Sequence, residues 1–199
     1  MRKIATVLLA ALAAASAASC GHSLPGGIDK APAGPTGGQY SVKVTRTGLG
    51  IPHIKADDFG SLGYGYGYSF AEDNLCVLQE DLVTIRGERS KYFGRDGTYT
   101  IVPNGVTASN ENSDFFWKFA AGEKQVAPTR DNTLPEFKQV TQGFVDGYNR
   151  YIRELKAGGH PGRHAACATA DWVFPITTDD MYRRYLRLAR RYRQMLSMT

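Results

Sequence analysis

Two long stretches of helical periodicity constrain this chain more than any other feature. Ala71, Leu75, Leu78, Leu82 and Ile85 recur at 4-3-4-3 spacing, and Phe137, Val140, Phe144, Tyr148, Tyr151 and Leu155 form a second such series. Each is a continuous apolar stripe that is stable in water only when another surface covers it. The second stripe carries Gly143 and Gly147 in its interior, where each costs ~1 kcal/mol relative to Ala. Their four-residue spacing predicts that a neighbouring element comes close at that point.

Start and stop signals frame both helices. Ser69-Phe70-Ala71-Glu72 and Thr133-Leu134-Pro135-Glu136 read as capping boxes, with proline tolerated in the first turn. Gly94 and Gly158-Gly159 are the corresponding stops. Ahead of the first helix, "LGYGYGYSF" (62–70) reads as extended. Tyr64, Tyr66 and Tyr68 then share one side, and the glycines leave the other bare for a close approach. Residues 40–47 alternate as a strand with Val42 and Val44 on one face, Gly48 and Gly50 make a turn, and 51–56 returns as a short strand. Pro52 confines that second strand to an edge or to its first residues.

Residues 95–132 hold few periodic signals, apart from a short helix expected at 113–119 that packs Phe115, Phe116 and Trp117. A third long helix is expected from Thr178. It carries Met181, Tyr185, Leu188, Tyr192 and Met195 on one side and most of its arginines on the other. Such a helix can lie on an anionic membrane. The preferred reading packs its apolar side on the domain and leaves the arginines solvated, because Tyr and Met fill cores well.

The formal charge of +5 misleads until it is divided along the chain. Of 24 Lys and Arg, two are Arg2 and Lys3, and six are Arg183, Arg184, Arg187, Arg190, Arg191 and Arg193. The remaining 16 face 19 Asp and Glu, a net of −3 over residues 20–180. A nucleic-acid partner is therefore not expected, since that function spreads basic charge over a face of the fold.

Arg2 and Lys3 precede an apolar run and then small residues up to Cys20, which reads as a secretory signal over residues 1–19. Nothing later approaches 18 consecutive apolar residues, so no transmembrane helix is expected. Two readings of the cleavage region stand side by side. Ala15-Ser16-Ala17 and Ala17-Ala18-Ser19 suit ordinary cleavage, whereas "AASC" resembles a lipobox that would make Cys20 the lipidated first residue. Residues 20–39, rich in Gly and Pro, are expected to be a flexible linker. The destination is periplasmic or secreted, with a lipid anchor to a bacterial membrane under the second reading. Export permits a Cys76–Cys167 disulfide, worth ~4 kcal/mol across so long a loop. Two buried free thiols are the alternative.

Catalytic machinery is hard to find. G-x-S-x-G, P-loop and H-E-x-x-H patterns are absent, and Gly63-Tyr64-Gly65-Tyr66-Gly67 lacks the G-x-G-x-x-G spacing of a dinucleotide site. His53 reads as structural, and Asp179-Asp180 stand where a helix N-terminus favours acids. "HPGRHAAC" brings His160, His164 and Cys167 close together, but Gly and Pro mark it as a surface loop. No metal and no cofactor are expected. An N-terminal nucleophile, which uses its own α-amino group as base, is poorly served by Cys20 at the head of a linker or by Thr98 in a turn.

Residues 42–94, "VKVTRTGLGIPHIKADDFGSLGYGYGYSFAEDNLCVLQEDLVTIRGERSKYFG", resemble the start of the penicillin acylase family. Within it they are most similar to the acyl-homoserine-lactone and aculeacin-type acylases. The matching elements are Arg46, Gly50-Ile51-Pro52-His53-Ile54, Gly63-Tyr64-Gly65, Gly67-Tyr68, Ala71-Glu72-Asp73-Asn74, Arg86-Gly87-Glu88-Arg89 and Phe93-Gly94. The similarity continues through "GFVDGYNRYIRE" (143–154) and "DWVFPITTDDMYRRYLRLARR" (171–191).

The resemblance implies an α+β chain, mainly helical with a few N-terminal strands, forming the α-subunit part of a four-layer αββα N-terminal-nucleophile hydrolase sandwich. It implies an exported precursor whose partner is a β subunit and whose substrate is a small-molecule acyl amide. The nucleophile, usually Ser, opens the β subunit, so no catalytic residue is expected in this chain. Residues 40–199 would then be a truncated α-subunit region that lacks β and is inactive alone. By the same resemblance Tyr185, Leu188, Ala189 and Tyr192 face the acyl group, and Cys76 and Cys167 form a disulfide.

Overall fold

The computed structural model describes residues 40–101 and 106–196. The expected signal, the expected linker and Cys20 lie outside them. Strands β1 (Val42–Arg46) and β2 (Pro52–Ala56) pair antiparallel, with Val44 opposite Ile54 and Thr45 opposite His53. Pro52 stands at the first position of its strand, where a missing N–H is harmless, and Gly50 takes the positive φ of the turn. Strands β3 (Thr98–Ile101) and β4 (Val106–Ser109) form a second antiparallel hairpin that the aperiodic sequence there did not reveal.

Among the described residues there are six helices: α1 (Phe59–Ile85), α2 (Arg89–Phe93), α3 (Asn110–Ala120), α4 (Glu123–Asp131), α5 (Pro135–Lys156) and α6 (Thr178–Leu196). Of these, α1, α3, α5 and α6 correspond to the expected ones with corrected boundaries, while α2 and α4 were not expected. The largest correction is at 62–70, which is helical rather than extended. Asp58 caps α1 by accepting the Ser61 N–H at 2.7 Å, and Ser69 lies buried inside the helix. The glycines that argued for a strand serve instead as contact points. A Cβ on Gly63 or Gly67 would sit 2.1 or 2.0 Å from the carbonyl oxygen of Val140 or Phe144, and one on Gly65 would strike Val42 and Ile54. Packing on two sides outweighs the poor helix propensity of glycine. The tyrosines diverge accordingly. Tyr64 stacks on Tyr40 at 4.7 Å, Tyr66 stays half-exposed, and Tyr68 packs edge-on against Tyr151.

Gly143 and Gly147 supply the other half of this crossing. A Cβ on either would lie 2.0 Å from the Gly60 or Tyr64 carbonyl oxygen. Because Gly63 meets Val140 and Gly67 meets Phe144, α1 and α5 run parallel with their backbones in contact. Leu75, Leu78, Leu82 and Ile85 from α1 join Phe144, Tyr148, Tyr151 and Ile152 from α5 in the principal core. The second capping box is also corrected. Leu134 is the N-cap of α5 with no side-chain hydrogen bond, and the Thr133 hydroxyl donates to the Thr129 carbonyl. Pro135 holds the first helical position.

Candidate functional site

Three helices meet along one apolar surface. Tyr66 of α1 lies edge-on to Phe144 at 5.2 Å, Phe137 of α5 lies 5.2 Å from Tyr185 of α6, and the Tyr185 hydroxyl is 3.4 Å from that of Thr141. Phe137 and Leu188 remain 45% and 42% exposed, so water meets a sizeable hydrocarbon surface here. Ala189 is exposed beside Leu188. Burial pushes the Tyr185 hydroxyl up from its ordinary pKa. The α6 backbone is described to Leu196, whereas the side chain of Tyr192 lies outside the described residues. A second open aromatic surface occurs on α3, where Phe115, Phe116 and Phe119 are 69%, 57% and 77% exposed. The expected packing of Phe115 and Phe116 is therefore corrected; only Trp117 turns toward the core.

The arginines of α6 also depart from expectation. Arg184 and Arg187 both reach Asp81 on α1, and Arg187 lies over Trp117 at 5.4 Å. Arg183 donates to the Ala121 carbonyl and pairs with Asp180. These three are engaged with the domain rather than solvated, while Leu188 on the supposedly buried side faces water. Asp81 draws the arginine side of α6 inward, and only its first turns cover the core with Met181 and Tyr182.

The approach to α6 is fixed by polar groups. Asp180 accepts the Thr177 N–H at 2.7 Å, capping the helix, and takes both Arg86 donors. Burial acts to raise this carboxyl, but Arg86 and Thr177 outweigh it and hold Asp180 below the usual carboxylate range. Asp179 pairs with Arg130. The extended strip before it carries two reciprocal amide clamps. Gln79 donates to the Phe174 carbonyl at 2.8 Å and accepts the Phe174 N–H at 3.3 Å; Asn149 does the same for Ile176 at 2.8 and 2.7 Å. Sequence reasoning passed over both amides, since neither periodicity nor a motif distinguishes a clamp from an ordinary polar residue.

The loop between α5 and α6 carries the Cys76–Cys167 disulfide, which ties it to α1. His160 stacks on Tyr151 at 4.3 Å and contacts Glu154 at 3.1 Å, while His164 meets the Tyr151 hydroxyl at 3.0 Å. Burial acts to raise the Glu154 carboxyl, but Tyr68, Arg150 and His160 bring it below its ordinary value. Burial, with Arg163 and His160 nearby, lowers His164. Among the described residues neither histidine has a serine, threonine or cysteine as its hydrogen-bond partner: His160 meets the Glu154 carboxylate and His164 the buried Tyr151 phenol. Among the described residues no group of three or more His, Cys, Asp and Glu side chains is placed to hold a metal ion. Among them, too, no helix is long and apolar enough to cross a membrane.

The comparisons with known proteins agree with this architecture. The penicillin amidase family model matches residues 41–183. The chain is 45% identical over 149 residues to an acyl-homoserine lactone acylase PvdQ of Pseudomonas savastanoi pv. phaseolicola, covering 75% of this chain. It is 37% identical over 149 residues to aculeacin-A acylase of Actinoplanes utahensis, covering 73% of this chain. It spans 18% of the length of each of these relatives. A thermostable penicillin G acylase from Alcaligenes faecalis shares its fold with a TM-score of 0.58 at 22% identity, over 77% of this chain and 75% of that one. With its parallel helix crossing, N-terminal hairpin and arginine-rich third long helix, this chain belongs to the penicillin amidase family.

Proposed function

We propose that this chain is the α-subunit region of an exported amidohydrolase that releases an acid from an acyl amide. The substrate class is that of acyl-homoserine lactones, lipopeptides or β-lactam side chains. The observation that carries the reading is the family match, together with relatives named as acylases of which this chain spans 18%. The chemistry then resides on the remaining polypeptide. There a first residue, usually Ser, would attack the amide carbonyl with its own α-amino group as base, and oxyanion donors would lie beside it. This chain contributes scaffold and one wall of the acyl pocket through Tyr185, Leu188, Ala189 and Tyr192. The open aromatic surfaces on α3 and along α1, α5 and α6 would be covered by that β subunit.

The site of action is periplasmic or extracellular. The mass of the mature N-terminus distinguishes plain cleavage from a lipid on Cys20. The test of function is hydrolysis of N-acyl amides by this chain alone and after co-expression with the remaining polypeptide of the 45%-identical acylase. No turnover is expected from the first and measurable turnover from the second. Turnover by the chain alone would refute the division of labour, and a folded complex without activity would refute the proposed reaction.

A further inference from the structure

The strip Val173–Thr177 joins the disulfide-bearing loop to α6 without being helix or strand. Val173 and Ile176 are buried, Phe174 is partly so, and Pro175 is exposed. Such a strip normally pairs its backbone with a neighbouring strand. Here two side chains replace the strand. Gln79 of α1 satisfies both backbone groups of Phe174, and Asn149 of α5 satisfies both of Ile176. Pro175, the residue between them, has no N–H to satisfy. Gln79 is fully buried, and its side chain also lies within hydrogen-bond reach of Tyr148. Immediately beyond, Thr177 and Asp180 start α6, and Arg86 holds Asp180.

We propose that Gln79 and Asn149 are positioning residues that set the register and direction of α6, and through it the acyl-chain discrimination of the assembled enzyme. The second half rests on the reading that α6 lines the acyl pocket. The two amides grip consecutive donor-bearing residues from two helices whose own crossing is rigid. A strip held in this way cannot slide by one residue without exchanging Phe174 for Pro175 at the Gln79 clamp, where a donor would be missing. The clamps therefore fix where Tyr185 and Leu188 fall on the three-helix surface.

Two variants at the less buried clamp separate this role from simple packing. Asn149→Asp keeps the acceptor for the Ile176 N–H but loses the donor to its carbonyl, whereas Asn149→Leu keeps volume and loses both. Hydrogen exchange on the intact chain should show Ile176 still protected in N149D and exchanging at least tenfold faster in N149L. Loss of a buried partner is worth at least that much. The reverse order would overturn the clamp. Gln79→Leu should expose the Phe174 amide in the same way; continued protection there would also overturn it.

In the enzyme completed with the relative's remaining polypeptide, N149L should change the ratio of kcat/KM between a long and a short acyl amide severalfold. The change should appear in KM, with kcat for the better substrate held. N149D, which keeps the bond to the Ile176 N–H alone, should change the ratio less than N149L does. Faster exchange with an unchanged ratio would leave the clamps standing and overturn the role of α6 in acyl discrimination.

Discussion

The α1–α5 crossing and the seat of α6 are built on opposite principles. At the crossing, Gly63, Gly67, Gly143 and Gly147 let backbone touch backbone, and aromatic and aliphatic side chains close the core around the contact. At α6 the contacts are polar: two amide clamps, the Arg86–Asp180 pair and arginines reaching Asp81. Of the described apolar side chains of α6, only Met181 and Tyr182 are fully buried, beside the buried Asp180 carboxylate. Non-directional packing makes the first region self-sufficient. Directional bonds place the second in one orientation while leaving Leu188 and Ala189 uncovered. A helix whose apolar side is left uncovered needs that kind of support.

Perturbations that strike the two regions differently test the contrast. The largest expected effect is at the link between them. Cys76→Ser removes the loop constraint and should lower unfolding free energy by ~4 kcal/mol in urea titrations. The loop and α6 should exchange fastest, with the α1–α5 amides remaining the best protected in the weakened chain. Gly67→Ala strikes the crossing. Its new methyl would meet the Phe144 carbonyl at 2.0 Å, and overpacking of this kind costs about 3 kcal/mol. Circular dichroism and urea melts should show the whole core weakened. A loss confined to α6 would contradict the division.

Arg86→Leu strands the buried Asp180 carboxylate, with an expected cost of about 3 kcal/mol. The effect should be largest at neutral pH and shrink as the medium becomes acid enough to protonate Asp180. Acidification supplies a smaller and graded test. Folded Glu154 and Asp180 titrate below their ordinary values, so the stability they contribute is present above about pH 4 and is lost as pH falls through the folded values. His164 is also depressed. The fold favours its neutral form, and its contribution fades once pH drops below about 6.5. Melting temperature should therefore decline in two stages on acidification, and His164→Phe should remove the earlier one.

The smallest stability effect belongs to Leu188→Ser. An exposed substitution away from the core stays within about 0.5 kcal/mol in the isolated chain. In the completed enzyme the same change should weaken hydrolysis of long-chain substrates. A large loss of stability in the isolated chain would mean that Leu188, like Met181 and Tyr185, packs on this domain after all.

The contrast also explains what could be read from sequence. The stripes at 71–85 and 137–155 were legible because burial of a helix face imposes spacing, and the close approach at Gly143 and Gly147 followed from their positions. The hairpin at 42–56 followed from alternation and turn glycines. The helical state of 62–70 was not legible. Its glycines oppose helix locally, and only contacts from α5 and β1–β2 reverse that preference. At α6 the apolar side was read correctly as far as Met181 and Tyr185, which pack on the core, but a helical wheel does not show that Leu188 stays exposed or that Asp81 on another helix claims the arginines. Gln79 and Asn149 left no signal, because their role depends on a strip brought to them by the fold. The resemblance at 42–94 located the family, whereas the role it implies for Tyr185 and Leu188 depends on a substrate that this chain's own contacts do not define.

Hydrogen exchange of this chain, free and bound to the remaining polypeptide of the 45%-identical acylase, tests the central claim most directly. The account predicts that binding slows exchange in α3 and in the outer half of α6, while amides at the α1–α5 crossing are already protected in the free chain and change little. A crossing that becomes protected only in the complex, or an α6 unaffected by it, would contradict the account.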